Sequence, residues 1–159
     1  MILEPSFLVL DEPTSALDVS VQAQVLNLFK ELQAKRNLTY LFITHNLSVV
    51  RYMADNVAIM YLGKIVEYGS AKEIFQNPKH PYTKSLLEAI PDVENRKAIK
   101  IIKGDVPSPL NPPGGCHFHP RCPIFIDEPK DSLLSKECKT KYPNPSNFGD
   151  SFVRCHAIK

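Results

Sequence analysis

Residues 1–91 carry nearly all of the periodic hydrophobic pattern in this chain. Phe7-Leu8-Val9-Leu10 is a short, wholly apolar run, of the kind that forms a central parallel strand buried on both faces. From Val19 to Lys35 the apolar positions Val21, Val25, Leu28, Phe29 and Leu32 recur at helical spacing, which predicts an amphipathic helix with Asp18 as its N-cap. Thr39-Tyr-Leu-Phe-Ile-Thr44 is β-branched and aromatic, hence a strand, and Ser48–Ala54 is a short helix. Val57–Leu62 and Lys64–Tyr68 predict two strands joined by a tight turn at Gly63. Ala71–Gln76 is a helical turn, and Tyr82–Ile90 a short helix stopped before Pro91.

The pattern then changes. Residues 104–159 hold nine of the fourteen prolines and all four cysteines. Asp105–Pro113 is too proline-rich for regular structure and reads as an extended connector. The expected organisation is an α/β core over 1–91, a linker over 92–103 and a small irregular Cys/Pro-rich extension over 104–159. At 159 residues the chain suffices for one ordinary domain. Charge adds little. Residues 1–95 hold 8 Lys+Arg and 11 Asp+Glu (net −3), residues 96–159 hold 11 and 6 (net +5), and the sum is +2. No aromatic-basic pattern accompanies this imbalance, so a nucleic-acid partner is not expected. No stretch approaches the roughly 20 apolar residues that span a bilayer. The first residues lack the basic start of a signal peptide.

Two places carry candidate chemistry. At the end of the first strand, Asp11 and Glu12 would point into the crevice where α/β sheets bind ligands. Asp11 suits Mg²⁺ held through water, and Glu12 suits polarising an attacking water. An acidic turn that merely caps the next helix is the plainer alternative. In the tail, Cys116, Cys122, Cys138 and Cys155 follow a C-x5-C-x15-C-x16-C spacing. In a reducing setting, clustered thiols more often bind metal than form disulfides. The spacing matches neither the zinc-ribbon nor the ferredoxin pattern, so zinc, iron–sulfur and free or paired thiols all stay open. His117, His119 and His156 are read as bystanders rather than ligands.

The string Leu8-Val-Leu-Asp-Glu-Pro-Thr-Ser-Ala-Leu-Asp18 resembles the Walker B motif and D-loop of ABC-transporter ATPases. His45, closing the second strand, matches the family's switch histidine, although Asn46 stands where the family has Asp. Val19–Leu28, Tyr61–Glu67 and His80-Pro-Tyr-Thr-Lys-Ser-Leu-Leu-Glu-Ala-Ile-Pro91 resemble the oligopeptide/dipeptide importer branch. So do Val106-Pro-Ser-Pro109, Pro120-Arg-Cys-Pro123 and Val153-Arg-Cys-His156, and the resemblance covers essentially the whole chain. It implies the C-terminal half of a P-loop NTPase core, with parallel strands and a terminal antiparallel hairpin. It implies Mg-ATP as nucleotide, Glu12 as base, His45 as γ-phosphate contact, and Ser15 and Asp18 contacting the opposite site of a dimer. It implies a [4Fe–4S] cluster on Cys116, Cys122, Cys138 and Cys155, with zinc as the alternative. Cys138 arrives later than the family's third cysteine, after an apparent insertion around Glu128–Lys136, but Cys138-Lys-Thr-Lys-Tyr-Pro143 restores the family's Cys-x4-Pro. The implied partners are a second, homologous ATP-binding subunit in a heterodimer, two membrane permease subunits and, indirectly, an extracytoplasmic peptide-binding protein. The implied location is peripheral, on the cytoplasmic face of the membrane.

The first glycine is Gly63, so neither a Gly-rich phosphate loop nor a Ser-Gly-Gly-Gln signature can precede Asp11 within this sequence. This predicts a fragment, or the product of a truncated or wrongly started gene, that binds ATP weakly and exposes apolar surface. An inert chain, or a metal-binding interaction module built on the tail, is the alternative function. ABC ATPases of DNA repair or translation share the Asp-Glu string but not the His80-Pro-Tyr segment or the cysteine tail.

Overall fold

The computed structural model describes residues 4–89, 102 and 104–158. The expected linker therefore lies almost wholly outside the described residues, as does the predicted helix end at Ile90. The chain forms two compact units that divide between Asp55 and Asn56.

In the first unit, β1 (Phe7–Asp11) pairs parallel with β2 (Thr39–Ile43), with Val9 opposite Leu41 and Asp11 opposite Ile43. The connection is α1 (Val19–Arg36). Asp18 caps α1 by accepting from the Val21 N–H, and Asn37 ends it in the left-handed conformation, φ 49°. After β2 comes α2 (Leu47–Met53), whose cap is Asn46, accepting from Ser48 and Val49. Successive strand residues face opposite sides, and one side of this sheet packs on α1. Phe29 meets Tyr40 and Phe42 edge-on at centroid distances of 6.1 and 6.2 Å, and the Tyr40 hydroxyl donates to the Phe29 carbonyl at 3.0 Å.

The other side is bare. Phe7, Val9, Leu41 and Ile43 are 52, 56, 49 and 45 % exposed. The expectation that Phe7–Leu10 is buried on both faces is therefore corrected: the sheet has two strands, and only one layer covers it. The apolar stripe on α1 is corrected as well. Leu26 is its buried residue, while Val21 and Leu28 are exposed, because a two-stranded sheet is too narrow to cover the predicted face.

In the second unit, β3 (Asn56–Tyr61) and β4 (Lys64–Ser70) form the expected hairpin. Leu62 and Gly63 turn it with φ values of 43° and 74°, the signs of a type I′ turn. The hairpin extends into a four-stranded antiparallel sheet, β3-β4-β6-β5, through β5 (Ser146–Phe148) and β6 (Ser151–Val153). The tail is thus not wholly irregular: Phe152 stacks on Tyr68 across the β4–β6 pair at 5.7 Å. Helices α3 (Ala71–Gln76) and α4 (Pro81–Glu88) follow the hairpin. A 3-10 turn at His119–Arg121, α5 (Pro123–Asp127) and α6 (Leu133–Thr140) carry the tail. Phe118 is 1 % exposed and packs against Tyr61 and Tyr82, at 5.2 and 5.3 Å. This aromatic cluster ties the hairpin, the His80-Pro-Tyr segment and the start of the cysteine segment into one core.

Candidate functional site

Asp11 is the last residue of β1, and the Glu12 N–H still donates to the Ile43 carbonyl of β2 at 2.9 Å. There the backbone turns: Glu12 has φ 46°, uncommon for a residue with a Cβ and frequent at functional sites. The Glu12 carbonyl accepts from the Ser15 N–H and hydroxyl, at 3.2 and 3.0 Å, which fixes the turn. His45 follows β2 by one turn residue, and its Nδ1 lies 2.8 Å from Glu12 Oε1. A carboxylate only accepts, so Nδ1 carries the hydrogen. That leaves Nε2 to face outward, as an acceptor when the ring is neutral and a donor when it is charged. Both side chains are accessible, and an exposed pair of this kind contributes only about 0.2–1 kcal/mol to stability. The arrangement therefore serves orientation more than folding.

Asp18 accepts from the Val21 N–H at 2.9 Å and the Ser20 hydroxyl at 2.7 Å, and these bonds hold its carboxyl below the usual carboxylate range. Thr14, 3 % exposed, accepts from Gln22 Nε2 at 3.0 Å and pins the Glu12–Asp18 loop to α1. Thus the Glu12 carboxylate meets His45 and the Glu12 carbonyl meets Ser15, whereas Asp18 belongs to the helix start.

The four cysteines, far apart in sequence, line one small cavity of about 20 Å³ in the second unit, beside His80, Phe118, His119, Phe125 and His156. All four thiols are free. The Cys116 N–H donates to the Cys138 carbonyl at 2.9 Å, an approach that depends on Gly115. At φ 64°, a Cβ there would stand 2.5 Å from the Cys138 carbonyl oxygen. Burial, helped by the neighbouring sulfurs, pushes the Cys116 thiol up to about 11 and the Cys138 thiol up to about 12. Cys122 and Cys155 are raised too, again first by burial.

Among the described residues, no three His, Cys, Asp or Glu side chains are grouped closely enough to hold a metal ion as they stand. The donor chemistry nonetheless fits a thiophilic group: four thiols around one apolar cavity. The tail histidines are occupied in part. His119 Nδ1 donates to the Cys116 carbonyl at 2.8 Å, and His156 Nε2 to the Lys141 carbonyl at 2.9 Å.

Neither His80 nor Glu67 stands out in the sequence as a site residue; each lies inside a longer string. Both are buried, 1 and 3 % exposed. Glu67 Oε1 accepts from the Lys79 N–H at 2.7 Å and Oε2 from the His80 N–H at 3.0 Å. His80 Nδ1 caps α4 by accepting from the Tyr82 N–H at 3.0 Å. Glu67 lies three residues before β4 ends at Ser70, and the signal for His80 is Pro81 at the first helical position.

Known proteins match this chain over most of its length. Residues 66–128 match the sequence model of the oligopeptide/dipeptide transporter, C-terminal region. The chain is 47 % identical to the oligopeptide transport ATP-binding protein AppF of Bacillus subtilis, over 98 % of its own length and 46 % of that protein's. It is 47 % identical to the di/tripeptide transport ATP-binding protein DppF of Pseudomonas aeruginosa, over the same shares. With the oligopeptide transport ATP-binding protein OppF of Salmonella typhimurium it shares 52 % identity over 78 % of the chain and 38 % of that protein. The chain belongs to the family of ATP-binding proteins of peptide ABC transport, as its C-terminal region. It spans less than half the length of these relatives.

Proposed function

We propose that this chain is part of the ATP-hydrolysing subunit that powers peptide import through an ABC transporter. The carrying observation is the 2.8 Å contact between Glu12 and His45 at the ends of two parallel strands, in a chain related to peptide-transport ATP-binding proteins. Glu12 would act as the base that takes the proton of the attacking water. His45, its Nδ1–H held by Glu12, would present Nε2 to the γ-phosphate. Asp11 would hold Mg²⁺ through water, as a cation that keeps much of its hydration shell requires. Ser15 and Asp18 lie on the loop between, and would contact the opposite ATP site of a heterodimer. Two permease subunits would be moved by closure of that dimer, with the subunit on the cytoplasmic face of the membrane. Among the described residues no helix is long and apolar enough to cross a membrane.

The residues of this chain supply the base and the sensor but no Gly-rich phosphate cradle, so the chain alone should bind Mg·ATP weakly. Calorimetric titration tests this. Heat showing no micromolar binding is expected; micromolar affinity would favour a complete site and refute the division of labour.

Cys116, Cys122, Cys138 and Cys155 would hold a [4Fe–4S] cluster, with zinc as the second choice; either supplies a cross-link of the tail when bound, and the cluster also a redox couple. The support is their common cavity. Anaerobic reconstitution with iron and sulfide should give a brown protein with iron and sulfide in equal amounts. A colourless, iron-free product would refute the cluster, and stoichiometric zinc would replace it.

A further inference from the structure

Within the loop that leads from Glu12 to α1, Thr14 is 3 % exposed, whereas Ser15, Ala16, Leu17 and Asp18 are all exposed. A buried hydroxyl needs a partner. It comes from α1: Gln22 Nε2 donates to Thr14 Oγ1 at 3.0 Å. Gln22 also holds the far end of the same loop, its backbone N–H donating to the Asp18 carbonyl at 2.8 Å. One residue of the helix thus ties the loop near its start and at its end.

What the loop holds in turn is Glu12. At φ 46° its backbone lies in a region that residues with a Cβ seldom adopt. Such a conformation persists only where surrounding contacts impose it. The Glu12 carbonyl accepts from the Ser15 N–H and hydroxyl, at 3.2 and 3.0 Å, and the Thr14 carbonyl accepts from the Leu17 N–H at 3.2 Å. The Ser15 hydroxyl bond is exposed to competing water, whereas the Thr14–Gln22 bond is half-buried, where a hydrogen bond is stronger. The Glu12 carboxylate reaches His45 Nδ1 at 2.8 Å, and both groups are accessible. Their aim therefore depends on the backbone that carries them more than on packing around them.

We propose that Gln22 is a positioning residue for ATP hydrolysis: through Thr14 it holds the turn from Glu12 to Ser15, and with it the aim of the Glu12 carboxylate. This rests on reading Glu12 as the base of that reaction. A reacting group displaced by about 1 Å can lose on the order of 100-fold in rate. Loosening the turn behind the base should cost less, about 10-fold.

The test is ATP turnover per assembled complex in the membrane-assembled transporter, for wild type, Gln22→Met, Gln22→Glu, Thr14→Val and the Gln22→Met, Thr14→Val double variant. Gln22→Met keeps the length of the side chain without its N–H. Gln22→Glu also lacks the N–H, but offers an acceptor to which the Thr14 hydroxyl can donate after rotating. The expected result is a fall in kcat of about 10-fold in Gln22→Met with KM for ATP little changed, and recovery of most of that loss in Gln22→Glu. Thr14→Val should lose as much as Gln22→Met, and the double variant no more than either, because all three remove the same bond. A bond that serves folding alone would lower Tm and the amount of assembled complex but leave kcat per complex unchanged. That outcome in Gln22→Met overturns the proposal, and so does an equal loss in Gln22→Glu. If Gln22→Met does not assemble, Thr14→Val decides: a fall in kcat at constant KM supports the role, and a wild-type kcat overturns it. Glu12→Gln is measured beside them. Wild-type turnover in Glu12→Gln refutes Glu12 as the base, whereas an inactive Glu12→Gln with a wild-type kcat in Gln22→Met refutes the role of Gln22 alone.

Discussion

Glu12 and His45 stand 33 positions apart and are brought together by parallel pairing of the two strands they follow. The acidic string and the histidine were legible as residues of interest. Their contact was not, because it depends on the left-handed backbone at Glu12, which nothing in an acidic pair announces. His80 makes the opposite case. Its burial follows from Phe118 and Glu67 converging on it; Pro81 marks a helix start there, but no local pattern announces that the ring is buried. That burial has a pH consequence. The folded-state value, about 4, lies below the ordinary 6.5. Between those values the unfolded chain binds the extra proton, so stability rises with pH across that window and is complete above about 6.5. The whole shift corresponds to roughly 3 kcal/mol. Thermal melts should therefore fall in Tm as pH drops from 7 to 4.5, and His80→Asn should flatten that dependence. An equal slope in both would remove His80 as the cause. Gly115→Ala should cost about 2 kcal/mol or more, since a Cβ meets the Cys138 carbonyl and φ is positive. Urea unfolding measures it, and an unchanged midpoint would contradict the close approach.

At the scale of elements, the hydrophobic pattern located most of the helices and strands of residues 4–89. Boundaries differ by a residue or two: α1 runs Val19–Arg36 against an expected end at Lys35. Asn46, flagged as a departure from the family, is the cap of α2. Asn46→Ala should thus lower stability by about 1 kcal/mol, while Asn46→Asp should leave it nearly unchanged. What the pattern did not reveal is that the tail adds β5 and β6 to the hairpin. Three-residue strands such as Ser146–Phe148 are too short for alternation to register. Leu62, at φ 43° in the hairpin turn, is the wrong residue type for that conformation. Leu62→Asn should raise stability by about 0.5–1 kcal/mol; a loss would contradict the turn. At the centre of the second unit, Phe118→Ala should cost about 3–5 kcal/mol.

For the whole molecule, the division into a first unit ending at Asp55 and a second unit holding the hairpin and tail separates two chemistries, a carboxylate–imidazole pair and a thiol cavity. The exposed strip of Phe7, Val9, Leu41 and Ile43 is apolar surface that a covering layer would bury, so the isolated chain should self-associate as concentration rises. The central claim is that Glu12, oriented with His45, is the base of an ATP-driven peptide importer. Its most direct test is ATP turnover by the membrane-assembled transporter carrying Glu12→Gln, beside wild type. We expect turnover to fall about 100-fold or more while ATP remains bound; turnover equal to wild type would contradict the account.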